Sequence, residues 1–393
     1  MKKKALDGIR VLDLNRRYPG AYSCMLLGDF GAEVIKVDPP EVPAAAERTD
    51  STTEHYAAHY ALDRNKRSMV LNLRNEAGRE IFYRLVKTAD VLVEGFRPGV
   101  MKRLGADYET LKKMNPGLVY CSVSGYGATG PYAGRPGHDL NYIALSGALS
   151  LIGEKGGQPY APSNLLADMG GAGLHAAIGI LIALVARKNT GEGQMVDIGY
   201  LDSVISLLAM EASIYFITGV VPRRGESPNT GAAPHKQALR CKDGGYFTIN
   251  CFEKHFWENF CRTLDREDLI PCQNPPAAKA EEVIADLRRL FLTRTRDEWR
   301  EIFKDKDVCA APMLELDETF ADPQVRHREM LLEREHPNLG KVRQIGVPIK
   351  LSDTPGEVGT LGVVTGTHTV ELLRELGYDA DEVAALREKK AIP

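Results

Sequence analysis

The sequence is short of net charge, of paired cysteines and of long apolar runs, and each shortage removes a class of function. Its 50 basic and 53 acidic residues in 393 leave a formal net charge of −3. No global basic field is there to draw nucleic acid, so none is expected as a partner. The seven cysteines (24, 121, 241, 251, 261, 272, 309) are odd in number and scattered, which argues against a disulfide framework. No Cys-x-x-Cys pair occurs, and no metal site is expected. Cys241, Cys251 and Cys261 recur every ten residues, a spacing that strand and helix packing accounts for without a site. The longest apolar segment, residues 176–186, is of core-helix length rather than bilayer length, so no membrane partner is expected. The basic start, Met1-Lys2-Lys3-Lys4, is followed by Ala5-Leu6-Asp7-Gly8, which lacks a secretory apolar core. A cytoplasmic location is the expectation.

What is present alternates between strand and helix. Residues 9–14 read as a strand, 21–30 as a helix stopped by Gly31, and 33–37 as the next strand. The pattern continues with a strand at 68–73, a helix at 76–88, strands at 91–94 and 118–123, and a helix near 108–113 between those two. Such strand–helix–strand units build parallel, doubly wound sheets. The first crossover loop, Asn15-Arg16-Arg17-Tyr18-Pro19-Gly20, lacks the Gly-x-Gly-x-x-Gly of a dinucleotide site, which disfavours an oxidoreductase. Residues 169–187 read as a buried helix, 194–198 as a strand and 201–218 as one long helix ending at Gly219. Residues 222–234, rich in Gly, Pro, Ser and Asn, read as a linker into strands and charged helices. The expected division is 1–221 for the first part of a large Rossmann-like α/β domain, 222–330 for a smaller α+β domain, and 331–393 for a segment returning to the large one.

Two short segments carry the chemistry. One is Gly137-His138-Asp139-Leu140-Asn141-Tyr142, the other Leu166-Ala167-Asp168-Met169-Gly170-Gly171-Ala172-Gly173. Asp168 alone reads as a helix N-cap, for which Asp is favoured. Three glycines in the following turn each cost roughly 1 kcal/mol against Ala. They therefore need a reason, and close approach of a ligand is one. His138 alone reads as a structural histidine, although imidazole titrates where proton transfer at neutral pH requires it. Glu253, in Phe252-Glu253-Lys254-His255, reads equally as the start of a surface helix.

Together these segments resemble the active site of the family III CoA-transferases (CaiB/BaiF type), most closely the alpha-methylacyl-CoA racemase branch. Further landmarks are Asp29-Phe30-Gly31-Ala32-Glu33-Val34, Asn65-Lys66-Arg67-Ser68, Glu94-Gly95-Phe96-Arg97-Pro98-Gly99, Ser124-Gly125-Tyr126-Gly127, Gly191-Glu192-Gly193-Gln194 and Gly366-Thr367-His368-Thr369. The resemblance implies a homodimer of interlocked rings and an acyl-CoA thioester as substrate, with no cofactor beyond the substrate's own CoA. It also implies acid and base on opposite faces of the thioester α-carbon. His138 and Asp168 would be that pair, Glu253 the partner of the histidine, and Asp139 and Gly170 supports near the enolate oxygen. Arg64, Lys66, Arg67 and Arg97 would hold the CoA phosphates, and Arg16, Arg17 and Tyr18 would face the acyl group. Racemases often carry an Arg where this chain has Pro39, so one phosphate contact is expected to be lost or moved. The expected reaction is racemisation of a 2-methylacyl-CoA. The alternatives are CoA transfer between carboxylic acids, in which Asp168 attacks the thioester, and a non-catalytic CoA-binding partner subunit.

Overall fold

The computed structural model describes residues 3–41, 61–336 and 340–393. The chain divides into two compact units, one of Met1–Ser146, Pro162–Leu207 and Gln324–Pro393, the other of Gly147–Ala161 and Leu208–Pro323.

The first unit is built on six parallel strands: β1 (Arg10–Asp13), β2 (Glu33–Asp38), β3 (Lys66–Val70), β4 (Val91–Glu94), β5 (Val119–Ser124) and β6 (Met195–Gly199). Their order is β3-β2-β1-β4-β5-β6, all pairs parallel, the doubly wound arrangement that alternating strands and helices imply. Strands β4 and β5 are buried along their whole length, as helices on both faces of a parallel sheet require. Helix α1 (Tyr18–Asp29) crosses from β1 to β2, and Gly31 follows its end at φ +99°, a conformation that glycine tolerates. Helix α2 (Glu76–Val86) is opened by Asn75, whose side chain accepts the Ala77 N–H at 3.0 Å. A Gly-x-Gly-x-x-Gly spacing does occur at 125–130, directly after β5. It runs into turns rather than a helix, so it lacks the context of a dinucleotide fingerprint.

The chain's last segment closes the sheet at its β3 edge. The Ser68 N–H donates to His368 Nδ1 (3.0 Å) and the Val70 N–H to Thr369 Oγ1 (3.0 Å). Arg67 reaches Glu371 (2.8 Å) and Glu375 (2.6 Å) on the helix Thr369–Glu375. An edge that would template association is thereby covered.

Three expectations are corrected. The 169–187 stretch is not a buried helix. Residues Leu165–Gly173 form a π-helix that runs into α4 (Leu174–Thr190), preceded by α3 (Asp139–Leu145) and followed by α5 (Tyr200–Leu207). Leu165 to Thr190 is thus a single helix of 26 residues, long and apolar enough by length and composition to cross a membrane. One side, with Ala176, Ile180 and Ala183, is buried in the unit, while Leu174, Ile178, Leu181, Ile182 and Val185 are exposed. Secondly, the 201–218 helix breaks at Leu208, where the chain leaves the first unit, and resumes as Ala209–Thr218. Thirdly, 222–234 is not a free linker. Arg224 donates to the Gly157 carbonyl (2.6 Å) and the Ser150 carbonyl (3.3 Å), and Lys155 pairs with Glu281 (2.6 Å). These bonds draw 147–161, expected in the large domain, into the second unit.

The second unit holds an antiparallel sheet, β7 (Lys236–Arg240), β8 (Tyr246–Asn250) and β9 (Ala310–Pro312), against helices Lys254–Thr263, Ala277–Phe291 and Arg296–Phe303. Trp257, Phe260, Phe291, Trp299 and Phe303 fill its core, where Cys241, Cys251 and Cys261 are buried as well.

Candidate active site

The two motif segments meet in the first unit through one carboxylate. Asp139 Oδ1 accepts the N–H of Ala167 (2.9 Å) and of Asp168 (2.8 Å). His138 precedes it as the extended N-cap of α3 (φ −135°, ψ 175°), with its backbone N–H held by Asn141 Oδ1 at 3.0 Å and its side chain exposed. The fold thus brings His138, Asp139 and Asp168 together from stretches some thirty residues apart in sequence.

Asp168 is not a helix cap but an interior residue of the π-helix. Such wide turns are rare and occur often at functional sites. They also account for the glycines without a ligand. A Cβ on Gly170 would lie 3.0 Å from the Leu165 carbonyl oxygen, and one on Gly171 would lie 2.9 Å from that of Leu166. On Gly173 it would strike the Tyr22 ring of α1 at 2.9 Å. The glycines make room for the helix's own carbonyls and for α1. Nor are the Ala167 and Asp168 amides free to hold an oxyanion, because Asp139 occupies both. Of the first-turn N–H groups of α3, those of Asn141 and Tyr142 donate to the His138 carbonyl (2.8 and 3.4 Å), and those of Asp139 and Leu140 remain as donors.

Burial pushes the Asp168 carboxyl up to about 7, the neighbouring Asp139 charge adds to the rise, and Arg17 pulls it partly back. Asp139 is itself raised by burial, against the two amides it accepts. Sequence reasoning missed the aromatic wall beside this carboxyl. The rings of Tyr126 and Tyr142 lie 5.2 Å apart, and those of Tyr142 and Tyr200 lie 4.7 Å apart. Tyr142 is pushed up to about 12 by burial, with Tyr126 and Asp168 adding and Arg97 opposing; Tyr200 is raised by burial and by Asp168. Gly137 is glycine because a Cβ there would meet the Tyr142 ring at 2.7 Å. Tyr142 stands three residues past Asp139 on α3, and that helical spacing was the available signal.

Three of the four expected phosphate cations are engaged inside the protein. Arg64, 2% exposed, clasps Asp29 with two bonds (3.0 and 2.6 Å) and donates to the Ile345 carbonyl. Lys66, 3% exposed, lies within β3 rather than in a loop and donates to Asp13 (2.8 Å), Asp63 (3.2 Å) and the Ala21 carbonyl (3.0 Å). Burial depresses its pKa, but Asp13 and Asp63 more than reverse this and keep it charged. Arg67 bridges Glu33, Glu371 and Glu375. A phosphate would have to displace these carboxylates, so the expectation for Arg64, Lys66 and Arg67 is withdrawn. Arg97 alone of the four is exposed, on a loop whose Phe96 N–H is held by Glu94 at 2.7 Å.

A cavity of about 420 Å³ opens beyond the ends of β1, β2 and β3, where Leu14, Pro39, Leu71 and Phe96 line it with Arg16, Arg74 and Arg103. Ligands of open α/β sheets bind beyond the strand carboxyl ends, near the point where strand order reverses. Arg16 sits over the Phe96 ring at 5.6 Å, and Arg74 pairs with Glu41 at 3.1 Å. The expected acyl-facing loop therefore splits: Arg16 belongs to this cavity and Arg17 to the surroundings of Asp168. Tyr18 packs with Tyr22 and Met169 in one apolar cluster. Glu253 is the exposed N-cap of Lys254–Thr263 in the second unit. Among the described residues no three His, Cys, Asp or Glu side chains gather as a metal site would.

Comparison with known proteins places these features in a family. A family model described as CoA-transferase family III matches residues 6–369. The human alpha-methylacyl-CoA racemase is 35% identical, with 99% of this chain and 97% of that protein aligned. The succinyl-CoA–L-malate CoA-transferase alpha subunit of Chloroflexus aurantiacus is 34% identical over 98% of this chain and 92% of its own. A crystal structure of a CAIB/BAIF family protein from Brucella suis superposes with a TM-score of 0.81 at 32% identity, covering 95% of this chain and all of that one. Racemase and transferase names thus occur at similar identity, and what they share with this chain is the fold and the acyl-CoA chemistry of one family. The chain belongs to CoA-transferase family III.

Proposed function

We propose that this enzyme racemises the α-carbon of a 2-methylacyl-CoA thioester. The observation that carries the reading is the Asp139 bridge, which holds the His138 segment against Asp168. One of the two residues removes the C2 proton, leaving an enolate whose oxygen takes hydrogen bonds from the Asp139 and Leu140 amides at the start of α3. The other returns a proton to the opposite face, and the roles exchange in the reverse direction. A carboxyl titrating near 7 serves in both directions, since its protonated and ionised forms coexist at neutral pH. The CoA phosphates are assigned to Arg97 and to Arg16 and Arg103 at the cavity, in place of the cations that carboxylates occupy. Pro39 lines that same cavity, in line with a phosphate contact moved to other side chains.

The second reading is CoA transfer, favoured by the transferase names among the relatives. Asp168 would attack the thioester carbonyl, giving a mixed anhydride and CoA thiolate. The thiolate would then attack the aspartyl carbonyl, releasing the acid and leaving CoA on Asp168. Incubation of a chiral 2-methylacyl-CoA in deuterated water separates the two. Deuterium at C2 with loss of chirality is the expected result, and CoA exchange onto an added carboxylate without C2 labelling would replace racemase by transferase. We further propose a homodimer, because the exposed apolar side of α4 is a surface that a lone chain would leave in water.

A further inference from the structure

Two glycines of the first unit stand where their own backbone does not call for glycine. Gly125, directly after β5, and Gly137, directly before His138, both lie outside the positive-φ region that favours this residue. What excludes a side chain at each is a single ring. A Cβ on Gly125 would strike the Tyr142 hydroxyl oxygen, and a Cβ on Gly137 would lie 2.7 Å from the Tyr142 ring. Tyr142 is 5% exposed, with the Tyr126 ring edge-on to it and the Tyr200 ring tilted against it. The Leu201 N–H donates to the Gly125 carbonyl (3.2 Å), which joins the start of α5 to the same place. The ring is thus clamped between the end of β5, the start of α5 and the turn that enters α3.

His138 has no such enclosure. Its side chain is exposed, so the imidazole takes its direction from the backbone that carries it. That backbone is held on two sides. Asn141 Oδ1 accepts the His138 N–H (3.0 Å) and the His138 carbonyl accepts the Asn141 N–H (2.8 Å), while Gly137 lies against the Tyr142 ring. Asp168 is held separately, through its own N–H to Asp139 (2.8 Å) in the π-helix. We propose that Tyr142 is a positioning residue for His138: its ring fixes the Gly137–His138 turn and so sets where the imidazole meets C2. The proposal rests on the racemase reading above, and it implies a defect confined to one face of the α-carbon. When Asp168 takes the C2 proton, its carboxyl can trade that proton for a solvent deuteron and return the deuteron to the same face. C2 is then labelled with its configuration retained. Inversion requires His138 on the other face. A displaced imidazole therefore slows inversion of both C2 epimers, yet leaves Asp168 able to exchange the epimer it deprotonates.

The test follows deuterium incorporation at C2 and inversion as separate rates, starting from each C2 epimer of a 2-methylacyl-CoA in deuterated water. Tyr142→Leu should slow inversion by about 10²-fold, the cost of misplacing a reacting group by about 1 Å. Exchange with retention should persist for one epimer only, the same one that still exchanges in His138→Ala and the opposite of the one that does so in Asp168→Asn. Tyr142→Phe keeps the ring and should restore the parent's ratio of exchange to inversion for both epimers. Gly137→Ala pushes on the turn from the other side of the same contact. It should reproduce the Tyr142→Leu pattern, and it carries the test if the leucine variant does not fold. A general packing defect lowers exchange of the two epimers together. That outcome, or unaltered inversion in Tyr142→Leu, would overturn the proposal, as would equal damage in Tyr142→Phe, which would put the effect in the hydroxyl instead of the ring. A parent enzyme that labels C2 of neither epimer would remove the racemase reading itself, and this inference with it.

Discussion

Asp168 combines two properties that ordinarily oppose each other: it is charged enough to act as a base and buried enough to hold a proton. Burial and the Asp139 charge raise it to about 7, and the sign of that shift has consequences for rate and for stability. In the direction where Asp168 takes the proton, kcat/KM should climb as pH rises through about 7; in the direction where it gives one, kcat/KM should fall there. Stability follows the same titration. The unfolded chain releases this proton near the ordinary carboxylate value and the folded chain only near 7, so stability decreases as pH rises between the two. Urea unfolding at pH 5 and pH 8 should show this difference in the parent, and it should shrink in Asp168→Asn. His138→Ala should slow racemisation by about 10²- to 10⁴-fold, the range for a lost acid–base group. Near-normal racemisation by that variant would take His138 out of the reaction. These two residues were legible because their identity and their neighbours are chemical signals carried in the chain itself. Tyr200 was not, since it comes from α5 and stands beside Tyr142 only through packing.

At the scale of elements, the parallel sheet could be read in advance because strands and helices alternate with short connections, and each strand is an apolar run. The π-helix could not. Its sequence has the composition of a glycine-broken α-helix, and the groups that meet its turns, Asp139 of α3 at the Ala167 and Asp168 amides and Tyr22 of α1 at Gly173, come from distant parts of the chain. The fate of the cations was hidden for the same kind of reason. Lys66 reads as a loop lysine, but in β3 its side chain points beneath α1 to Asp13, and a strand's alternation cannot reveal a carboxylate on another strand. The two assignments differ in outcome. If Lys66 held a phosphate, replacing it would weaken CoA binding and leave the fold intact. As an internal partner it leaves Asp13 buried and uncompensated when removed, which costs about 3–5 kcal/mol. Lys66→Met should therefore lower the urea midpoint strongly, while Arg103→Gln at the cavity should weaken CoA binding with little effect on that midpoint.

Each unit, taken by itself, leaves an apolar surface that its own core does not use. In the first unit it is the outer side of α4, with Leu174, Ile178, Leu181, Ile182 and Val185 at the spacing of one helical face. In the second it is the helix Ala209–Thr218, which has no buried residue and exposes Met210, Ile214, Phe216 and Ile217. Apolar patches of this kind mark a surface that meets a partner. A membrane is an alternative for Leu165–Thr190 on composition, yet that helix contains the Asp168 turn, and its α4 part packs on β5 and β6, the last two strands of the sheet. A second copy of the chain, as proposed above, would cover the same patch on both subunits in one symmetric association. Sedimentation should then give twice the 43.3 kDa of one chain. Interlocked rings make a stronger demand than an ordinary dimer. Folded subunits that are threaded through one another cannot exchange without unfolding. Tagged and untagged proteins mixed after folding should therefore yield no mixed dimer over many hours, whereas the same proteins unfolded together and refolded should yield it in about half of the molecules, the share set by random pairing. Rapid exchange between folded dimers would keep the dimer and remove the threading, and a mass of one chain would remove both.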